Sequence, residues 1–134
     1  MNAFLLDNIL LIAIICVCVV SLAWPYVAKR RWGPEVDNRS ATELINHKNA
    51  QIVDLRAPAD FKKECIARSV NIPADRIQNE LGKLDKTRPV LLVDDDGRRS
   101  RMASPLLRGT GFKEVYILAG GLNAWRMAKL PFAR

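Results

Sequence analysis

Pro89-Val90-Leu91-Leu92-Val93-Asp94-Asp95-Asp96-Gly97-Arg98-Arg99-Ser100-Arg101-Met102-Ala103 is the stretch that decides the fold. The apolar run Pro89 to Val93 reads as a buried strand, the next seven residues as a tight loop, and Arg101-Met102-Ala103 as the start of a helix. A strand, loop and helix start in that order aim several backbone N–H groups and a helix N-terminus at one point. That makes a ready anion site. Here the loop itself carries three carboxylates, Asp94, Asp95 and Asp96, and no cysteine.

Outward from this stretch, short apolar runs alternate with helical patterns, which predicts a parallel α/β sheet flanked by helices. Strands are expected over Gln51 to Leu55, Ser69 to Asn71, Val90 to Val93 (the central one) and Val115 to Leu118. Helices are expected over Ala41 to His47, Ala59 to Lys63, Asp75 to Leu84, Ser100 to Arg108 and Leu122 to Lys129. Ser40-Ala41-Thr42-Glu43 has the capping-box pattern, with Ser40 as N-cap and Glu43 reaching back. Ile77, Leu81 and Leu84 share one helical face, and Gly109 and Gly111 end the helix after the loop. Pro105 lies inside that helix, where it removes a donor and crowds the preceding turn. A kink there, or a helix that begins late, is expected.

Four ordered motifs resemble the rhodanese (sulfurtransferase) family: Ile52-Val53-Asp54-Leu55-Arg56, Phe61 through Ile66 to Asn71-Ile72-Pro73, the loop quoted above, and Gly111-Phe112 through Gly120-Gly121 and Trp125 to Leu130-Pro131. Together they span Ser40 to Pro131. The resemblance implies a rhodanese-like fold in which Asp54 and Arg56 brace the loop. The family's loop runs Cys-x-x-Gly-x-Arg-Ser, and aligning on Gly97, Arg99 and Ser100 puts Asp94 at the cysteine position. Glu64-Cys65 stands where the family has Gly-His, and Arg68 where it has glycine. Within the family the chain looks most like the YibN-type membrane-anchored rhodanese-like proteins of bacteria.

The likeness to an anchored group has its own basis in the first residues. Asn8 to Ala28 carries no charge and spans about 31 Å as a helix, the thickness of one hydrocarbon core. Trp24 and Tyr26 sit at its end, and Lys29-Arg30-Arg31 follow. A cleaved signal peptide would want its basic residues before the apolar run, and none is there; Ser21-Leu22-Ala23 would serve only as the cleavage site. Residues 1–28 therefore read as a transmembrane anchor that meets the lipid bilayer through residues 8–28. Residues 29–39 read as a juxtamembrane linker and residues 40–134 as the rhodanese-like domain. The positive-inside rule places the domain in the cytoplasm and the N-terminus outside, with one pass through a bacterial inner membrane.

The chain has 21 Lys and Arg against 14 Asp and Glu, and residues 40–134 alone carry 17 against 11. That basic excess suits an anionic lipid surface. Nucleic-acid binding would need aromatics to stack on, and those present read as core, so no nucleic-acid partner is expected. Cys16 and Cys18 lie in the apolar run, and Cys65 is the only thiol in the domain, so no disulfide framework is expected.

Sulfur transfer needs a thiolate nucleophile, which Asp94 does not offer. A carboxylate forming an acyl-phosphate would want a metal-site motif, and the sequence has none. Neither a metal nor another cofactor is expected, although adjacent carboxylates of the loop are in principle Mg²⁺ or Ca²⁺ ligands. The loop aspartates instead accept the loop's own N–H groups as a built-in anion, with Asp94 kept ionised by those donors and by an ion pair with Arg99. Asp94, Asp95, Asp96, Gly97, Arg98, Arg99 and Ser100 are the candidate binding residues. Cys65, beside Lys62, Lys63 and Arg68, is a nucleophile only in the alternative reading. His47 reads as a helix-end residue, Gly120-Gly121 as a backbone turn and Trp125 as core. The expected function is a membrane-tethered, catalytically inactive rhodanese-like module. It would bind a membrane-associated protein at the cytoplasmic surface, with the loop and the Lys62, Lys63 and Arg68 patch as the contact. The alternative is a sulfurtransferase using Cys65 or a partner's thiol. A cation-dependent or lipid-surface sensor is the third reading.

Overall fold

The computed structural model describes residues 3–133, and of residues 28–32 the backbone. Two compact units divide the chain, Met1–Arg31 and Trp32–Arg134. In the first, a short helix α1 (Ala3–Asp7) precedes a long helix α2 (Ile9–Trp32). Within α2, Ile9–Val27 has a mean hydropathy of 2.6 and no residue buried in the protein, so it is long and apolar enough to cross a membrane. The side chains of Lys29, Arg30 and Arg31 lie outside the described ones.

The second unit is a five-stranded parallel sheet. Its strands are β1 (Glu35–Val36), β2 (Gln51–Asp54), β3 (Val70–Asn71), β4 (Val90–Val93) and β5 (Val115–Leu118), in the order β1-β5-β4-β2-β3. The helices are α3 (Asn38–His47), α4 (Pro58–Lys63), α5 (Ile77–Glu80), α6 (Arg98–Gly109) and α7 (Gly121–Met127). β4 is central and wholly buried, as the apolar run requires of a strand covered on both faces. Its side chains alternate between two cores. Val90 and Leu92 meet Val53, Ile72, Ile77, Leu107 and Phe112 on one face. Leu91 and Val93 meet Ala41, Ile52, Ile66, Leu122 and Trp125 on the other.

Four expectations are corrected. Ser40 is not the N-cap of α3. Asp37 is extended and its carboxylate accepts the Ser40 N–H at 2.8 Å, so the helix starts at Asn38. Aspartate caps at least as well as serine, and taking it lets the helix satisfy one more turn. The linker reading of 29–39 misses β1, which pairs with β5 in the register Glu35 to Ile117 and Val36 to Leu118. The expected helix over Asp75 to Leu84 breaks into a 3₁₀ turn (Ala74–Arg76), α5 and a second 3₁₀ turn (Leu81–Lys83). The segment contains Gly82, and no side chain caps any of its three pieces. Ile77 and Leu84 are nonetheless buried in the core, as their shared face requires. α6 does not begin late: it starts at Arg98 and runs through Pro105.

Candidate functional site

The carboxyl ends of β2 and β4 lie side by side, with the chain leaving β4 toward β5 on one side and β2 toward β3 on the other. Such a switch point is where open parallel sheets place their ligands. Asp54 and Arg56 end β2 and are buried together, with side chains 0% and 4% exposed. Arg56 Nη2 donates to Asp54 Oδ2 at 2.8 Å, and Arg56 Nε to Asp54 Oδ1 at 3.0 Å. Burial opposes the charged guanidinium, but the hydrogen bonds and charge of Asp54 outweigh it and hold the Arg56 pKa above its ordinary value. Arg56 Nη2 also donates to the Glu64 carbonyl at 2.6 Å, and Asn71 Nδ2 donates to the carbonyls of Asp54 and Arg56. The pair thus braces the Glu64-Cys65 segment directly. It meets the Asp94 loop only across an open cleft of about 320 Å³ that Arg56 and Asp95 both line.

Asp94 follows β4 and is 1% exposed. Its Oδ1 accepts the Gly97 N–H at 2.8 Å and the Ser100 hydroxyl at 2.9 Å, and its Oδ2 accepts the Arg99 N–H at 2.8 Å. The carboxylate therefore fills the cradle that opens α6. Gly97 makes the turn possible, since its φ of 96° belongs to the left-handed region that glycine tolerates. Burial is the largest influence on Asp94 and pushes its pKa up, against the three hydrogen bonds, which favour the charged form. Two parts of the built-in-anion expectation change. Arg99 contributes its backbone N–H and not its guanidinium, because the α6 start directs the amide inward while the side chain stays exposed. The carboxyl is also not held below its usual range. Asp95 and Asp96 are exposed and do not converge with Asp94, and Asp96 Oδ1 accepts the Arg98 N–H at 2.9 Å instead. Among the described residues no group of three His, Cys, Asp or Glu side chains is placed to hold a metal.

The rear of the loop is held by the Gly120-Gly121 turn together with the first amides that follow it. Gly120 and Gly121 have φ of 72° and 59°, and the N–H groups of Leu122 and Asn123 donate to the carbonyls of Asp94 and Asp95 at 2.7 and 3.0 Å. A Cβ on Gly121 would lie 2.5 Å from the Asp94 oxygen. The Gly-Gly pair was the available signal; that the chain then donates back to the loop was not visible in it. Cys65 is partly buried, its backbone bridged to Ala133. Glu64 beside it is paired with Arg126. Arg68 occupies the left-handed region with φ of 67°, as a position where glycine was expected should. His47 is the last residue of α3.

A family model described as "Rhodanese-like domain" matches residues 37–128. The chain belongs to the rhodanese-like family. Over 97 residues, covering 70% of this chain and 68% of its relative, it is 38% identical to YibN of Escherichia coli K12. It is 32% identical over 92 residues to the thiosulfate sulfurtransferase GlpE of Coxiella burnetii, covering 69% of this chain and 86% of the relative. The rhodanese fold is matched by the crystal structure of a rhodanese-related protein from Thermoplasma volcanium, with a TM-score of 0.67, 23% identity and coverage of 75% and 98%. In this rhodanese-like domain the position resembling the family's nucleophile carries a buried carboxyl group.

Proposed function

We propose that the protein is a membrane-tethered rhodanese-like module that works by binding another membrane-associated protein and does not transfer sulfur. Support comes first from Asp94: its carboxylate already occupies the N–H cradle in which a persulfide would be stabilised. A carboxylate cannot carry sulfane sulfur, and among the described residues the partners of the Asp94 carboxylate are the Gly97 and Arg99 amides and the Ser100 hydroxyl, with no thiol among them. The apolar stretch Ile9–Val27 with its trailing basic residues supports insertion with the domain on the cytoplasmic face. Tethering raises the local concentration of the domain for a partner in the same membrane, so that weak contacts suffice. The exposed residues of the loop, Asp95, Asp96, Arg98 and Arg99, are part of the contact surface, and Lys63 of the Lys62, Lys63 and Arg68 patch shares a cleft with Asp95.

The test is thiocyanate formation from thiosulfate and cyanide by the full chain in neutral detergent. The wild type and Cys65→Ser are expected to be inactive. Asp94→Cys is expected to gain activity, because the cradle's donors would then face a thiolate. Wild-type activity that disappears in Cys65→Ser would replace the binding role with sulfur transfer through Cys65, the second reading that GlpE similarity favours.

A further inference from the structure

An open groove starts at the cradle and runs along α6. At the loop end it is about 260 Å³, walled by Leu55, Pro73 and Asp75. It continues past Arg99, which lines both parts, into a wider space of about 570 Å³ bounded by Ile77, Met102 and Leu106. Three features of this groove point to an occupant. Arg99 has lost the task that a loop carboxylate would give its guanidinium, because Asp94 takes its N–H, and the side chain has no partner among the described residues. Met102, 75% exposed, is one of the few large hydrophobic side chains that the unit Trp32–Arg134 leaves in water. Its unbranched thioether adapts to irregular apolar partners. Asp75 stands on the groove wall with no ion pair to Arg99, so the two charges are presented separately.

The other charged concavity near the loop lacks these properties. In the cleft of Arg56, Asp60, Lys63, Glu64, Asp95 and Arg126, two of the three basic groups are already neutralised, Arg56 by Asp54 and Arg126 by Glu64.

We propose that the α6 groove binds a polypeptide segment presenting a single carboxylate next to an aliphatic side chain, the carboxylate on Arg99 and the aliphatic group over Met102 and Leu106. This rests on the reading that the domain acts by binding. Arg99 offers a planar fork of donors for the carboxylate. Among the described residues, Arg99 is the one basic residue that lines the groove. Asp75 accepts a peptide N–H and repels a second carboxylate, so a run of acidic residues is selected against.

The experiment is a titration of the isotope-labelled full chain in neutral detergent micelles, followed by amide chemical shifts. The probes are two blocked pentapeptides that differ only in carrying Asp or Lys beside a Leu. The Asp peptide is expected to give saturable shifts at Asp75, Arg99 and Met102, and to bind about tenfold more tightly than the Lys peptide, the size of one charge-assisted hydrogen bond. Arg99→Gln should remove that preference while keeping the Asp94 cradle, since the backbone donor stays. Met102→Gln should weaken both peptides alike. Equal binding of the two peptides, shifts centred on Lys63 and Arg126, or no saturable shifts at all would overturn the assignment. Sulfur transfer is read separately: an inactive wild type with an empty groove would sink the groove alone, whereas an active wild type would sink the binding reading whatever the peptides do.

Discussion

Asp94 sets a buried carboxyl group among three donors at the position resembling the family's nucleophile. Its pKa is raised by burial, so the folded state holds the proton more tightly than the unfolded chain does. Its stabilising contribution is therefore full below about pH 3.9, the unfolded carboxyl value, and is lost as pH rises through the folded one. Measured by urea unfolding of the full chain in detergent, the stability of the wild type relative to Asp94→Asn is expected to fall as pH rises through that range. A gap that widens instead would mean that the cradle holds the charged form more tightly than water does. The buried brace responds differently. Asp54→Ala should cost about 3–5 kcal/mol by the same measurement, because it leaves the Arg56 guanidinium uncompensated among buried atoms. Arg68→Gly should stabilise by about 1 kcal/mol, since an exposed arginine at φ of 67° sits where glycine is unstrained. The position of Asp94 in the cradle was legible in the sequence through the Gly97, Arg99 and Ser100 spacing. Its protonation balance was not, because burial is a property of the packed sheet and not of seven residues.

At the scale of elements, α7 matters to the site more than its sequence suggests. It begins on two left-handed glycines and its first amides hold the loop from behind. Gly121→Ala should cost more than about 2 kcal/mol, combining backbone strain with a Cβ pressed against the Asp94 carbonyl. Faster hydrogen exchange of the Leu122 amide, which donates to Asp94, would report it. β4 and β5 were readable because each is a short apolar run, and β2 through Ile52-Val53 and the Asp54 to Arg56 motif that follows. β1 was not, because two residues beside Gly33-Pro34 carry no period. It exists because its carbonyls meet a ready edge: the N–H groups of Ile117 and Ala119 donate to Pro34 and Val36, and Glu35 pairs with Arg101 at 2.7 Å. The groove along α6 was equally hidden. One of its walls comes from the first 3₁₀ turn and α5, pieces of what the sequence presented as one helix over Asp75 to Leu84.

For the whole molecule, the proposed orientation has a direct consequence. Protease added to inverted membrane vesicles should remove the rhodanese-like domain, and protease added to right-side-out vesicles should spare it. The opposite pattern would reverse the topology and, with it, the class of partner. The tethered carboxylate of Asp94 also bears on how the protein behaves in a changing cell. A loop that cradles a free anion is ordered in proportion to how much of that anion is dissolved around it. Here the occupant is part of the chain and its supply never runs out, so the shape of the loop does not follow the metabolic state of sulfur or phosphate. In the proposed binding role, that constant face marks a place and does not sense a concentration.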